Sequence, residues 1–363
     1  MTVTASGLEG VVVANTELSA VDGERGRLVI RGYDAERLAA AKTFEEVCGL
    51  LWSGQDGDAE AAELARDLGL ARQEAFDRLP KLGDALDFED GMDALRAGLS
   101  HTRTSRPAAL TAAAPVLAAA WWRRRHGLEP IAPDSEAGQA ADYLRMVTGA
   151  APAAARVSAL DTYLVTVSDH GMNASTFTVR VIASTASDMV SAVVGAVGAL
   201  KGPLHGGAPG PVLDMLDAIG RPDNVEAWLD AELTAGRRLM GFGHRVYRVR
   251  DPRAAVFERA LERLDAAGFS SKRLSLAREV ERAAVGALQE RHPDRPLHTN
   301  VEFYTALLLD TIGLPRELFA PTFAVGRIAG WCAHFAEQRE HGRLIRPDSR
   351  YVGPTPDALP MGV

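Results

Sequence analysis

The sequence predicts an almost entirely α-helical protein with a minor β unit near its N-terminus. Apolar residues recur at helical spacing along most of the chain, in places behind a recognisable cap. Strand signals are few and cluster near the N-terminus. No alternation of strand and helix runs along the chain, which argues against a doubly wound sheet.

Val11–Val13 and Leu28–Ile30 flank the turn-like Asp22-Gly-Glu-Arg-Gly26, predicting a small hairpin or β-turn unit. Thr43 and Glu46 form a capping-box pattern at the head of a helix whose face carries Phe44, Val47, Leu50 and Leu51, with Gly54 after the run. Pro107–Trp122 is Ala-rich and lies between Arg106 and Arg123–Arg125. Its length of about 16 residues is short of the roughly 20 that a membrane span needs, so it reads as a buried helix. Ser187–Leu200 is a largely apolar helix stopped by Gly202-Pro203, and belongs in the protein interior or a subunit interface. Val280, Ala283, Ala284 and Leu288 form another helical stripe, and the tail from Arg346 is rich in Pro and Gly and expected to be extended. No fixed-period repeat is found.

The chain has 363 residues, enough for a large core and more than one lobe. With 47% hydrophobic and 24% charged residues it has the composition of a folded protein, which sets disorder aside. A net charge of −8 argues against a general nucleic-acid or membrane-surface binder. An anionic substrate would then need a local concentration of Arg and His. Cys48 and Cys332 sit in apolar helical contexts, so no disulfide framework is expected and a reducing cytoplasm fits. The start, MTVTASGLEG, has neither the basic region nor the apolar region of a signal peptide.

Four segments bring His, Arg, Gly and acid together. They are Ser168-Asp-His170-Gly-Met-Asn-Ala-Ser175, Lys201-Gly-Pro-Leu-His205-Gly-Gly-Ala208, Met240-Gly-Phe-Gly-His244-Arg-Val-Tyr-Arg248-Val-Arg-Asp-Pro-Arg253 and Asn300-Val-Glu302-Phe-Tyr304. His205 follows a helix stop and precedes two glycines, which suits both a ligand-facing hinge and a plain capped turn. Gly241-Phe-Gly-His244 is not a dinucleotide fingerprint, since Val246 breaks G-x-G-x-x-G. Its backbone N–H groups could still cradle a phosphate, and Arg245, Arg248, Arg250 and Arg253 supply the local cationic cluster. Glu302 lies between Val301 and Phe303; desolvation there would raise its pKa toward that of a general base, although an exposed helical acid reads the same locally. His170, beside Asp169, reads equally as a ligand contact and as a surface pair. His292, His298 and His341 read as surface groups. No zinc-site spacing and no serine-hydrolase elbow occurs, so neither a metal nor a redox cofactor is expected.

Together the four segments, with Gly7-Leu-Glu-Gly10, Arg31-Gly-Tyr-Asp34, Phe323-Ala-Val-Gly-Arg327-Ile-Ala-Gly-Trp331-Cys-Ala-His334, Arg346-Pro347 and Tyr351-Val-Gly353, resemble the citrate synthase family in its short bacterial form. Order and spacing hold over nearly the whole chain. The resemblance implies an all-α, citrate synthase-like fold. A large helical domain (residues 1–205 and 308–363) would carry a smaller inserted helical domain (206–307), with the site in the cleft between them. It implies a homodimer, with Ser187–Leu200 at the interface. It implies condensation of acetyl-CoA with oxaloacetate to citrate and CoA, the CoA thioester entering as substrate. His205, His244 and the acid at 302 would be catalytic. His170, Arg253, Arg327 and the partner subunit's Arg346 would bind oxaloacetate. Gly241, Phe242, Gly243 and Arg248 would bind CoA, and the glycines after His205 would serve a hinge.

One position departs from the family pattern, which has Asp in a V-D-F-Y-type motif where this chain has Glu302. Glutamate keeps the carboxylate but adds about 1.3 Å of reach, and a base misplaced by about 1 Å can lose roughly a hundredfold in rate. Propionyl-CoA, giving 2-methylcitrate, is the neighbouring substrate reading; one methylene discriminates by only about 1–3 kcal/mol, so motifs do not separate the two. A weakly active paralogue that binds CoA or dicarboxylates for regulation is the reading from another class.

Overall fold

The computed structural model describes residues 6–8, 10–54, 58–205, 210–244, 246–269, 273–294 and 296–354. Three short strands come first, β1 (Ser19–Asp22), β2 (Arg27–Ile30) and β3 (Tyr33–Asp34), forming one antiparallel sheet in that order. Helices follow: α1 (Ala35–Ala41), α2 (Phe44–Ser53), α3 (Asp58–Asp77), α4 (Gly91–Ser100), α5 (Pro107–Arg125), α6 (Gln139–Thr148), α7 (Ala154–Val167), α8 (Ala174–Ser184) and α9 (Met189–Lys201). The second half adds α10 (Gly210–Ile219), α11 (Val225–Thr234), α12 (Pro252–Ala266), α13 (Leu274–Arg291), α14 (Val301–Thr311) and α15 (Phe319–His341). Among the described residues no helix is long and apolar enough to cross a membrane.

The helix signals in the sequence act as expected. Thr43 and Glu46 close a full capping box on α2, and Gly54 ends that helix in a left-handed conformation. The helix expected from Ser187 begins at Met189, after the N-cap Asp188, and stops at Gly202. The hairpin needs a correction. Its turn lies at Asp22–Gly26 and its second strand at Leu28–Ile30, but the first strand is Ser19–Asp22 rather than Val11–Val13. Ser19 pairs with Ile30 and Asp22 with Arg27, a register fixed by the tight turn. Val11 and Val12 are instead exposed.

α5 is the centre of the molecule. Every residue from Ala108 to Trp121 is buried, and α3, α4, α6 and α15 pack around it. Small Ala side chains let those helices approach closely. α15 lies across α5, α7 and α8, and its own glycines make one contact possible. A methyl group on Gly330 would collide with the Ser168 carbonyl, and one on Gly326 would lie 2.6 Å from Val167 Cγ2. α15 is thus seated against the end of α7, where the chain leads into His170. A buried ion pair, Arg72 with Asp142 at 2.8 Å, ties α3 to α6 on the other side.

The β-hairpin braces two of the chemistry-bearing segments. A methyl group on Gly23 would collide with the Val246 carbonyl, and the Gly23 carbonyl accepts from Arg248 N–H at 2.9 Å. In β1, Ser19 Oγ donates to the Asp169 carboxylate and accepts from Gly171 N–H at 2.9 Å. The residues around His170 and those around His244 are therefore both anchored to one small sheet.

Candidate active site

The loop before α12 is held in register by the strand-like residues before α14. Phe242 and Thr299 form an isolated antiparallel bridge. Gly243 N–H donates to the His298 carbonyl at 2.8 Å, and Asn300 N–H donates to the Gly241 carbonyl at 2.9 Å. Both glycines have φ +82°, and a methyl on Gly241 would lie 2.8 Å from Phe303 Cβ, so this close pairing excludes a side chain there. Asn300 does two jobs. Its Nδ2 donates to the Gly243 carbonyl at 3.0 Å, while its Oδ1 caps α14 by accepting from Glu302 N–H at 3.0 Å. The backbone that carries His244 and the backbone that carries Glu302 are thus locked together. His298 itself is half-buried, not fully at the surface as the sequence suggested, whereas His292 and His341 are exposed.

His244 has a defined tautomer. Its Nδ1 accepts from Val246 N–H at 3.0 Å and from Tyr247 N–H at 3.1 Å, so the single proton of the neutral ring sits on Nε2. Burial, reinforced by the Arg253 charge, lowers its pKa to about 4, and the ring is neutral at pH 7. His170 stands against it edge-on, with ring centroids 5.7 Å apart, and its Nε2 lies 3.1 Å from the Tyr247 hydroxyl. Burial and the charges of Arg253 and Arg327 hold the His170 pKa well below the usual histidine range.

Two buried arginines flank these rings. Arg253, in the first turn of α12, is gripped by Asp251 at 3.0 and 2.7 Å, and the Asp251 carboxylate more than offsets the burial penalty on its charge. Arg327 enters from α15, donates its Nε to the Val167 carbonyl and lies over the Phe323 ring. Its Nη2 is buried without a hydrogen-bond partner. Burial lowers its pKa to about 10, which leaves it charged at neutral pH. Burial raises the Glu302 pKa, and the Arg253 charge opposes that rise.

His205 sits just past α9 and is held through α8. Ser175 N–H donates to His205 Nε2 at 3.3 Å, which makes Nε2 an acceptor and leaves the ring proton on Nδ1. Ser175 Oγ lies 2.8 Å from the same Nε2 and 2.8 Å from Asn173 Oδ1, and accepts from Trp331 Nε1 at 3.1 Å. Burial, with the Arg327 charge, lowers the His205 pKa to about 4.

The chain therefore gathers His170, His244, Arg253, Arg327 and Glu302 around one buried region, with His205 coupled to it through Ser175 and Trp331. Arg248 and Arg346 are exposed. Arg245 and the glycines after His205 lie outside the described residues. Sequence reasoning did not single out Ser175, Asp251, Asn300 or Tyr247. Asp251-Pro252 is an N-cap followed by proline at the first helical position, a signal that could have marked Asp251. Nothing local marks Ser175.

A family model described as citrate synthase, C-terminal domain, matches residues 7–348. A protein named putative citrate synthase 2 from Mycobacterium tuberculosis is 40% identical over 96% of this chain and 93% of its own length. A 2-methylcitrate synthase from the same species is 39% identical over 98% and 92%. The ternary complex of carboxymethyl coenzyme A and oxaloacetate with citrate synthase from Thermoplasma acidophilum superposes with a TM-score of 0.87 at 29% identity, covering 97% of each chain. The buried histidine–arginine–carboxylate cluster thus sits in a chain whose sequence and fold agree with these proteins nearly end to end, and the chain belongs to the citrate synthase family.

Proposed function

We propose that this enzyme condenses acetyl-CoA with oxaloacetate and water to give citrate and CoA, with His205, His244 and Glu302 as its catalytic groups. The observation that carries the assignment is the pairing of two neutral histidines of opposite tautomer with a carboxylate of raised pKa. Each histidine presents one N–H as a donor, and the carboxylate is the proton acceptor. Glu302 takes a methyl proton from acetyl-CoA while His205 Nδ1–H hydrogen-bonds the thioester oxygen, giving an enolate. The enolate carbon attacks the ketone carbon of oxaloacetate, His244 Nε2–H hydrogen-bonds the oxygen as it takes up negative charge, and the proton taken from the methyl group completes the alcohol. Water then cleaves the citryl thioester, releasing CoA as the thiol.

In this reading His170, Arg253 and Arg327 hold the oxaloacetate dianion, with Arg346 supplied by the partner subunit of a homodimer. CoA lies along Gly241–Gly243 and Arg248, and no metal or redox cofactor takes part. The two-domain division (1–205 with 308–363, and 206–307) is part of the proposal. It is supported by the pairing of α10 with α14 and of α11 with α13, while α12 and α14 carry contacts to α7 and α12 also touches α1. The dimer is supported by α9, whose Val190 and Val194 are only half-buried within one subunit. Two free, buried cysteines are consistent with the cytoplasm.

The relatives carry both the citrate and the 2-methylcitrate synthase names, so propionyl-CoA is the second reading. Thiol release in the presence of oxaloacetate, measured with each acyl-CoA, tests both. A higher kcat/KM for acetyl-CoA supports the first, and a higher value for propionyl-CoA replaces it with the second. No oxaloacetate-dependent release with either acyl-CoA contradicts both and favours a regulatory binding protein.

A further inference from the structure

Tyr163 lies in α7 with a fully buried ring, and its hydroxyl has no hydrogen-bond partner. A buried hydroxyl left unpaired loses its hydrogen bonds to water without replacement, so an orphan of this kind calls for an explanation. Three contacts fix where it is. Its ring packs on Phe257 with centroids 5.3 Å apart, and Phe257 stands one helical turn after Arg253 on α12. Val167, one turn beyond Tyr163 on α7, is the residue whose carbonyl receives Arg327 Nε. The charges of Arg327 and Arg253, in that order, both act on the Tyr163 hydroxyl. The tyrosine hydroxyl is therefore within the field of the two buried arginines, and Arg327 itself carries a second orphaned atom, the buried Nη2.

We propose that Tyr163 is a positioning residue for Arg327: its hydroxyl is joined to Nη2 through one buried water, which accepts from Nη2. Arg327 is then fixed at two points, Nε on the Val167 carbonyl and Nη2 on the water that the tyrosine holds. A planar guanidinium held along one edge has no rotational freedom left, so the remaining Nη1 is aimed at the substrate carboxylate before the substrate arrives. Tyrosine suits this task because it offers a neutral acceptor. An Asp or Glu in its place would neutralise the guanidinium and weaken its attraction for a dianion. The inference rests on the assignment of Arg327 to oxaloacetate binding made above.

The test is Tyr163→Phe, which keeps the ring on Phe257 and removes only the oxygen. The control is Tyr143→Phe. Tyr143 is equally buried, but its hydroxyl is 2.9 Å from Thr322 Oγ1 and so already has a hydrogen-bond partner. Each variant is measured for oxaloacetate affinity by titration calorimetry and for the KM of both substrates. Tyr163→Phe should weaken oxaloacetate binding about tenfold or more, the size of one hydrogen bond to a charged group, and leave the acetyl-CoA KM within about twofold. Tyr143→Phe should lower the melting temperature without changing oxaloacetate affinity. Unchanged oxaloacetate affinity in Tyr163→Phe overturns the proposal, as does an equal loss in both variants. Wild-type protein that binds no oxaloacetate would instead overturn the assignment beneath it.

Discussion

Glu302 is a residue that stability alone would not choose. Its carboxyl is half-buried, and only the Arg253 charge opposes the rise in pKa that desolvation brings. A carboxyl whose folded pKa exceeds its unfolded value is protonated more readily in the folded state. Its ionised form therefore costs stability, and the cost grows as pH rises from the unfolded pKa through the folded one. Glu302→Gln should accordingly raise the melting temperature at pH 7, while the difference from wild type shrinks at pH 4. A melting temperature that falls at pH 7 would contradict the burial argument. The histidines behave in the opposite sense. His205 and His244 have pKa values lowered to about 4 from 6.5. They contribute stability that is full above pH 6.5 and is lost as pH falls toward 4. Thermal melts between pH 7 and pH 4.5 should show that loss, and His244→Asn should make it smaller. The longer arm of Glu302 can be tested too. The start of α14 is tied down by Asn300 and by the Phe242–Thr299 bridge, so the backbone cannot follow a shortened side chain. Glu302→Asp should therefore lower kcat by about a hundredfold; retained activity would show that the site adapts.

At the scale of elements, the site depends on close backbone approaches. The β-hairpin touches the His170 segment through Ser19 and the His244 segment through Gly23. Gly330 lets α15 lie on the Ser168 carbonyl, next to Asp169. Asp169 is in turn paired with His334 of α15 at 3.1 Å. Gly330→Ala should push this loop away from α15, lowering stability by about 1–3 kcal/mol and raising the oxaloacetate KM through the displaced His170. Denaturant melts and steady-state kinetics check both parts, and a variant with wild-type values would show that α15 yields at no cost. The hairpin turn was legible in the sequence because Gly and Asp cluster at Asp22–Gly26. Its first strand was misplaced because Val11–Val13 has the better strand composition, whereas Ser19–Asp22 is selected by register across the turn.

Across the whole molecule, what was legible followed from local pattern and from ordered motifs. Capping residues gave helix starts, Ala richness gave the buried α5, and four short segments pointed to the residues that gather in the site, except Arg327, which only the family resemblance named. What was not legible is contact over long sequence distance. Ser19 meets Asp169, and Ser175 joins His205 to Trp331, through side chains with no local pattern to mark them. Buried pairing is equally silent. Asp142 accepts from Arg72 at 2.8 Å, from Arg145 at 2.7 Å and from Asp134 N–H at 3.0 Å. Asp142→Ala leaves Arg72 buried and unpaired and should cost about 3–5 kcal/mol of folding stability, read from the denaturant midpoint, with kcat unchanged in the fraction that folds. The central claim is that this fold delivers a carboxylate base to an acyl-CoA methyl group. Its most direct test is oxaloacetate-dependent thiol release from acetyl-CoA by wild type and by Glu302→Gln, each shown to be folded. Wild type should turn over, and Glu302→Gln should fall by about 10²–10⁴-fold. A Glu302→Gln enzyme with wild-type kcat would show that the base lies elsewhere.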